Sequence, residues 1–224
     1  AEASGIAGGW GQDTIINSGN MTLMNADLFD AIALGVSASL NISGNVAIKG
    51  VAAGTVEGVA ASNATVTAEA TAKGIDGGGD DDFIFNTGAI QLLPSSDALG
   101  VAASLNVSGN MIGETEGAAM SDASVTAKAA ATGIDGGTGD DTIINNGAIT
   151  LMNQEAGNDA KALGVAASLN VTGNLQGTAV GQALSKATTE AEAIAIGISG
   201  GSGFDDVTNR GAIATHVDSQ ATGV

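Results

Sequence analysis

The sequence contains no cysteine and no tyrosine, and only one tryptophan, four phenylalanines and one proline in 224 residues. Without cysteine there can be no disulfide staples and no thiolate metal site. With aromatics at 2%, the 44% hydrophobic fraction consists of Ala, Val, Ile, Leu and a few Met. Any core is therefore thin and built from small or branched side chains rather than aromatic layers. One proline and the lack of a three-residue glycine period exclude collagen. Positive charge is scarce as well: 6 Lys and Arg stand against 24 Asp and Glu, a formal charge of -18. Such a chain repels nucleic acid and anionic lipid surfaces, leaving cations as natural partners. The uncharged stretch between Asp30 and Lys49 interleaves Ser, Asn and Gly with apolar residues. It does not read as a transmembrane helix, and the aromatic girdles of an outer-membrane barrel are missing, so no membrane insertion is expected.

What is abundant is glycine, 35 residues, and it falls in repeats. One block reads GIAGGWGQDTIINSGNM from Gly5, GIDGGGDDDFIFNTGAI from Gly74, GIDGGTGDDTIINNGAI from Gly133 and GISGGSGFDDVTNRGAI from Gly197. A second reads ALGVSASLNISGN (33–45), ALGVAASLNVSGN (98–110) and ALGVAASLNVTGN (162–174), and a looser third covers 63–73, 122–132 and 185–196. The blocks recur in the same order with no linker. The chain is thus one domain, 1–224, with repeats 5–73, 74–132, 133–196 and a partial 197–224.

In the second block Leu99, Val101, Ala103, Leu105 and Val107 share one face, while Gly100, Ala102, Ser104, Asn106 and Ser108 share the other. Period two predicts a strand with one buried side. The third block alternates Val125, Ala127, Ala129 and Ala131 with Thr126, Lys128, Ala130 and Thr132, which favours strand over the helix that alanine alone would suggest. The fold expected is all-β, a right-handed parallel β-helix (β-solenoid). Each repeat of about 64 residues would divide into about three coils of roughly 21 residues, giving a rod of about ten coils, on the order of 50 Å long.

The segment GGTGDDTII (136–144) places Gly136, Gly137, Gly139, Asp141 and Ile143 in the pattern G-G-x-G-x-D-x-U-x. It resembles the nonapeptides of the RTX (haemolysin-type) calcium-binding family. GGWGQDTII from Gly8 and GGSGFDDVT from Gly200 fit as well, while the loop from Gly77 carries Asp80 in place of a glycine. The resemblance implies a Ca²⁺ cofactor held by Asp13, Asp80, Asp81, Asp82, Asp140, Asp141, Asp205 and Asp206, through the oxygen ligands a hard cation takes. With three coils between loops, these would lie roughly 14 Å apart, too far to share an ion. The competing reading is a sharp corner in which Asp caps backbone amides.

The recurring I-x-N-x-G-x-I pattern, with Asn17, Asn86, Asn145 and Asn209, resembles rungs of exported bacterial β-helices, including autotransporter passengers and large adhesins. Asn at such a corner is expected to hydrogen-bond between coils. Asn41, Asn106 and Asn170 also form N-x-S/T sites, as do Asn20 and Asn63, which keeps glycosylation open.

Catalytic groups are sparse: one histidine (His216), one arginine (Arg210) and scattered Lys49, Lys73, Lys128, Lys161 and Lys186. No enzyme is expected. The chain starts AEASGI and closes DSQATGV, both mid-repeat, so it reads as a window of a longer repetitive protein or as a subunit whose ends cap one another. The function expected is a secreted structural solenoid at the cell surface. It would polymerise with itself head to tail into filaments or a surface layer, and it could contact the cell surface or polysaccharide. The alternatives are a repeat segment of a large calcium-dependent adhesin and an ice-binding solenoid.

Overall fold

A computed structural model describes residues 1–23, 30–45, 54–151 and 158–224. Among them the chain forms fourteen strands. These are β1 (Glu2–Trp10), β2 (Thr14–Asn17), β3 (Met21–Leu23), β4 (Asp30–Asn45), β5 (Gly54–Gly79), β6 (Phe83–Asn86), β7 (Ile90–Leu92), β8 (Ser95–Thr138), β9 (Thr142–Asn145), β10 (Ile149–Leu151), β11 (Asn158–Ser199), β12 (Asp206–Asn209), β13 (Ile213–Thr215) and β14 (Val217–Gly223). They make three sheets: β1-β5-β8-β11-β14 with β4 also on β8, then β13-β10-β7-β3, then β12-β9-β6-β2. Every pairing is parallel. The all-β parallel solenoid expected from the repeats is the fold.

The division into three coils per repeat is not. Gly100 pairs with Gly164, Gly35 with Gly100 and Gly78 with Gly137. Each residue therefore lies beside its own equivalent one repeat away, and one whole repeat makes one coil. The molecule has about four coils, so at ~4.8 Å per coil it is a wide plate roughly 15–20 Å tall, not a 50 Å rod. The third block is not a separate coil but a length of the same strand. β8 runs for 44 residues, which would span roughly 145 Å if straight. It instead doubles back, because the Ser104 and Ser121 hydroxyls meet at 2.9 Å within one coil.

Each coil thus has a three-sided head and a flat two-layered blade. The head packs Ile75, Ile84, Ile90 and Leu92 of one coil against Ile134, Ile143, Ile149 and Leu151 of the next. The blade has an outgoing leg (95–110 in the second coil) facing a returning leg (114–131). Its core is almost entirely alanine with Val66 and Val125. The returning leg buries Val125, Ala127, Ala129 and Ala131, as its alternation predicts.

The outgoing leg is inverted relative to its hydrophobicity. Ala102, Ser104, Asn106 and Ser108 are buried, while Leu99, Leu163, Leu169 and Val171 face outward. The legs sit too close together for bulky residues on both sides. A Cβ added at Gly100 would lie 2.5 Å from Cγ2 of Val125, and one at Gly35 would lie 2.3 Å from Cγ2 of Val66. Valine on one leg fills the space that glycine leaves on the other.

Hydrogen bonds hold what so little apolar volume cannot. Asn106 Nδ2 donates to Gly58 O (3.0 Å) and to Asn170 Oδ1 (2.9 Å), while Asn106 Oδ1 accepts from Asn41 Nδ2 at 2.9 Å. The Ser121 hydroxyl donates to Ala167 O at 2.6 Å. These bonds cross both between coils and between legs. With both amide hydrogens engaged and the residue buried, Asn106 is closed to glycosylation in the folded chain.

Gly100→Ala should destabilise by about 1–3 kcal/mol through overpacking, and Val125→Ala by about 1–2 kcal/mol through the cavity it opens. The double variant should recover most of the Gly100→Ala cost in denaturant melts. Strict additivity would contradict the interlocked packing.

Candidate functional site: the stacked aspartate loops

The Gly-Asp loops close the head between the returning leg and β2, β6, β9 and β12. Because one repeat is one coil, they lie on consecutive coils about 4.8 Å apart rather than 14 Å. Two left-handed positions recur in each loop. The first is Gly9, Gly78, Gly137 and Gly201, with φ between 97° and 106°, and the second is Gly11, Asp80, Gly139 and Gly203. Asp80 takes this second position with φ 74°. Aspartate tolerates that region better than most residues, so the sequence departure keeps the same turn.

The last aspartate of the motif forms an inner column. Asp13 N donates to Asp82 Oδ1 (2.8 Å), Asp82 N to Asp141 Oδ1 (2.8 Å), and Asp141 N to Asp205 Oδ1 (3.0 Å). One residue earlier an outer column runs the other way, with Asp140 N donating to Asp81 Oδ1 and Phe204 N to Asp140 Oδ1, both at 2.9 Å. Asp80 Oδ2 accepts from Gly11 N at 3.2 Å, and Asp81 Oδ2 from Gln12 Nε2 at 3.2 Å. Seven of the eight candidate ligands thus share one corner. Asp206 begins β12 beside Thr142 and takes no part in either column.

The carboxylates therefore act first as caps for backbone amides of neighbouring coils. One oxygen of each inner residue has no such task. Oδ2 of Asp13, Asp82 and Asp141 is buried without a hydrogen-bond partner, and Asp82 and Asp141 are only 3% and 1% exposed. Desolvation pushes both pKa values up, the backbone hydrogen bond works against this, and the neighbouring aspartates add to the rise. Burial works against the Lys73 ammonium, but its bonds to Asp135 (2.9 Å) and Asp76 (3.0 Å) outweigh that and raise its pKa. This ion pair links two coils just ahead of the loops.

The orphan oxygens are hard anionic donors, so they suit Ca²⁺ chemically. Asp82, Asp141 and Asp13 are the residues that would hold it, and the ion would supply neutralising charge. Among the described residues, no three acidic or histidine side chains converge on a single point. The donors form a file along the axis rather than a closed cage.

Asparagines 86 and 145 do what the corner pattern predicts. Asn86 Nδ2 donates to Asn145 Oδ1 (2.7 Å) and Gly88 O (2.9 Å), and Asn145 Nδ2 repeats this with Asn209 Oδ1 and Gly147 O. The interior Asn106 and Ser104 ladders were readable as a periodic face but not as a buried one. His216 and Arg210 are exposed, and Lys49 lies outside the described residues.

Comparison with known proteins gave no match to a family model, a curated protein or a solved structure. The class is set by the fold alone: a parallel β-solenoid with one repeat per coil.

For Asp82 and Asp141 a raised folded-state pKa means that folding favours the protonated form. Stability should rise as pH falls from neutral through that raised value toward 3.8, and be lost again on the way back up. Melting curves of the metal-free protein between pH 7 and 4 should show this, and Asp141→Asn should flatten the trend. Asp141→Ala, which strands the buried Asp82 N–H, should cost about 1–3 kcal/mol.

Proposed function

We propose that the chain is a secreted structural solenoid that assembles end to end into extracellular filaments or a surface layer, stabilised by Ca²⁺ at the aspartate file. The carrying observation is that each coil is a template for its neighbour. Asn, Asp and some Ser side chains find hydrogen-bond partners one repeat away. On the outer coils β4, β12, β13 and β14 pair along one edge only, and such an edge accepts a further strand. Heterologous contacts of that kind propagate into open fibres.

A non-catalytic role is supported by how the polar groups are used. The buried Asn and Asp side chains bond to adjacent coils instead of converging on a cleft. The secreted location rests on the resemblance of the loops and Asn rungs to exported bacterial β-helices.

The same open edges favour a second reading, in which further coils of a longer chain continue the stack and the segment is part of a calcium-dependent adhesin. Negative-stain microscopy and fibre diffraction of purified material separate the two. Filaments with a repeat of about 4.8 Å along the axis support self-assembly, whereas discrete particles with and without Ca²⁺ reject it. For the metal, chelation should lower the melting temperature by removing up to about 2.7 kcal/mol at a hundred-fold excess of ion over Kd. An unchanged melting temperature rejects the calcium role.

A further inference from the structure

We propose that the outward face of the outgoing leg is a lateral interface on which a second copy of this chain packs, sheet against sheet. The face consists of columns held in register across β4, β8 and β11: Leu34–Leu99–Leu163, Val36–Val101–Val165, Ala38–Ala103–Ala167, Leu40–Leu105–Leu169 and Ile42–Val107–Val171. These side chains are not turned aside into the core. Leu34 is 66% exposed, Leu40 64% and Leu169 59%. An open groove of about 510 Å³ runs beside Ile32, Leu34, Leu99 and Leu163.

Three observations select a second copy as the occupant. The first is charge. The chain carries -18 overall, and the opposite, returning-leg face holds Glu57, Glu69, Glu116, Asp122, Glu190 and Glu192 against Lys128 and Lys186, which pair with Glu192 and Asp122. Two such polyanions can approach only through a neutral surface, and the five columns contain no ionisable residue. Asp97 and Lys161, paired in register, stand at the edge of the face.

The second is shape. On either side of the alanine column stand two bulky columns, so the profile reads large, large, small, large, large in both directions. A surface that matches its own reversal is what an isologous two-fold contact requires. About a two-fold through the alanine column, each bulky column meets a bulky column of the partner, at the usual spacing of about 10 Å between packed sheets.

The third is area. The five columns span nine residues of strand by three coils, roughly 30 Å by 14 Å, a footprint of about 420 Å² per copy. A pair would bury about 850 Å², the size of a weak, transient contact, so pairing is expected only at tens of micromolar and above. A lipid surface fits less well, because the face has neither aromatic anchors nor a basic rim.

The test uses sedimentation of the purified chain at tens of micromolar. The unaltered protein should associate in pairs through this face. Leu105→Lys with Leu169→Lys should weaken that association about 100-fold, since it buries unpaired charge, while Glu116→Lys on the opposite face should leave it intact. Both substituted positions point to solvent within one copy, and an unchanged melting temperature checks the fold. The chain has no cysteine, so Ala103→Cys should be joined into a dimer by a short bis-maleimide cross-linker, which spans a gap too wide for a disulfide, and Ala61→Cys should not.

Particles that remain single, pairing that ignores the lysines, or co-flotation with neutral phosphatidylcholine vesicles that the lysines abolish would each overturn the proposal. End-to-end growth would produce masses beyond the dimer that survive the lysine substitutions. Failure of the filament reading and failure of this one are therefore distinguishable.

Discussion

The structure depends on one constraint: every residue must sit beside its own equivalent one repeat along the chain. In a parallel stack at about 4.8 Å, a column of like residues forms whether or not they attract. Such columns are favourable for Leu, Val and Ala, and neutral to favourable for Asn, whose amide is both donor and acceptor. For Asp the same column brings like charges together. Backbone N–H groups offset part of that penalty at the inner carboxylates, while their burial adds to it. The side-chain chemistry of the protein is largely chemistry between copies of the same residue.

A second consequence concerns thickness. In most sheets the larger apolar residues face inward and set a spacing of about 10 Å. Here glycine faces valine and alanine faces alanine across the blade, so the legs close up and the bulky residues are expelled. Dispersion contacts are fewer than in an aliphatic core. Buried hydroxyls and amides supplement them with bonds of about 1 kcal/mol each.

Much of this was legible in the amino-acid order. The all-β class, the repeats, the strand character of the alanine-rich block and the bridging Asn corners all follow from spacing. The coil count did not, because a strand long enough to fold back on itself leaves the same alternating pattern as two shorter strands. The inversion of the ALGVAASLN block was hidden for a different reason. Hydrophobicity ranks residues by preference for burial, whereas here the width between the legs decides, and that width is set by residues some 25 positions away. The aspartates were identified as a set. Their use as amide acceptors, with one oxygen left over, depends on loops being neighbours, which the three-coil division had ruled out.

The opposed aspartate columns give the stack a direction in time. When a coil docks on the one before it, its outer-column amide finds a carboxylate already in place, as Asp140 N finds Asp81. Its inner-column amide does not; Asp82 N must wait for Asp141 of the coil that follows. A freshly docked coil is thus half satisfied and holds a buried donor open for the next segment of chain to arrive. Folding from the amino end would proceed as a ratchet, each coil completed by its successor.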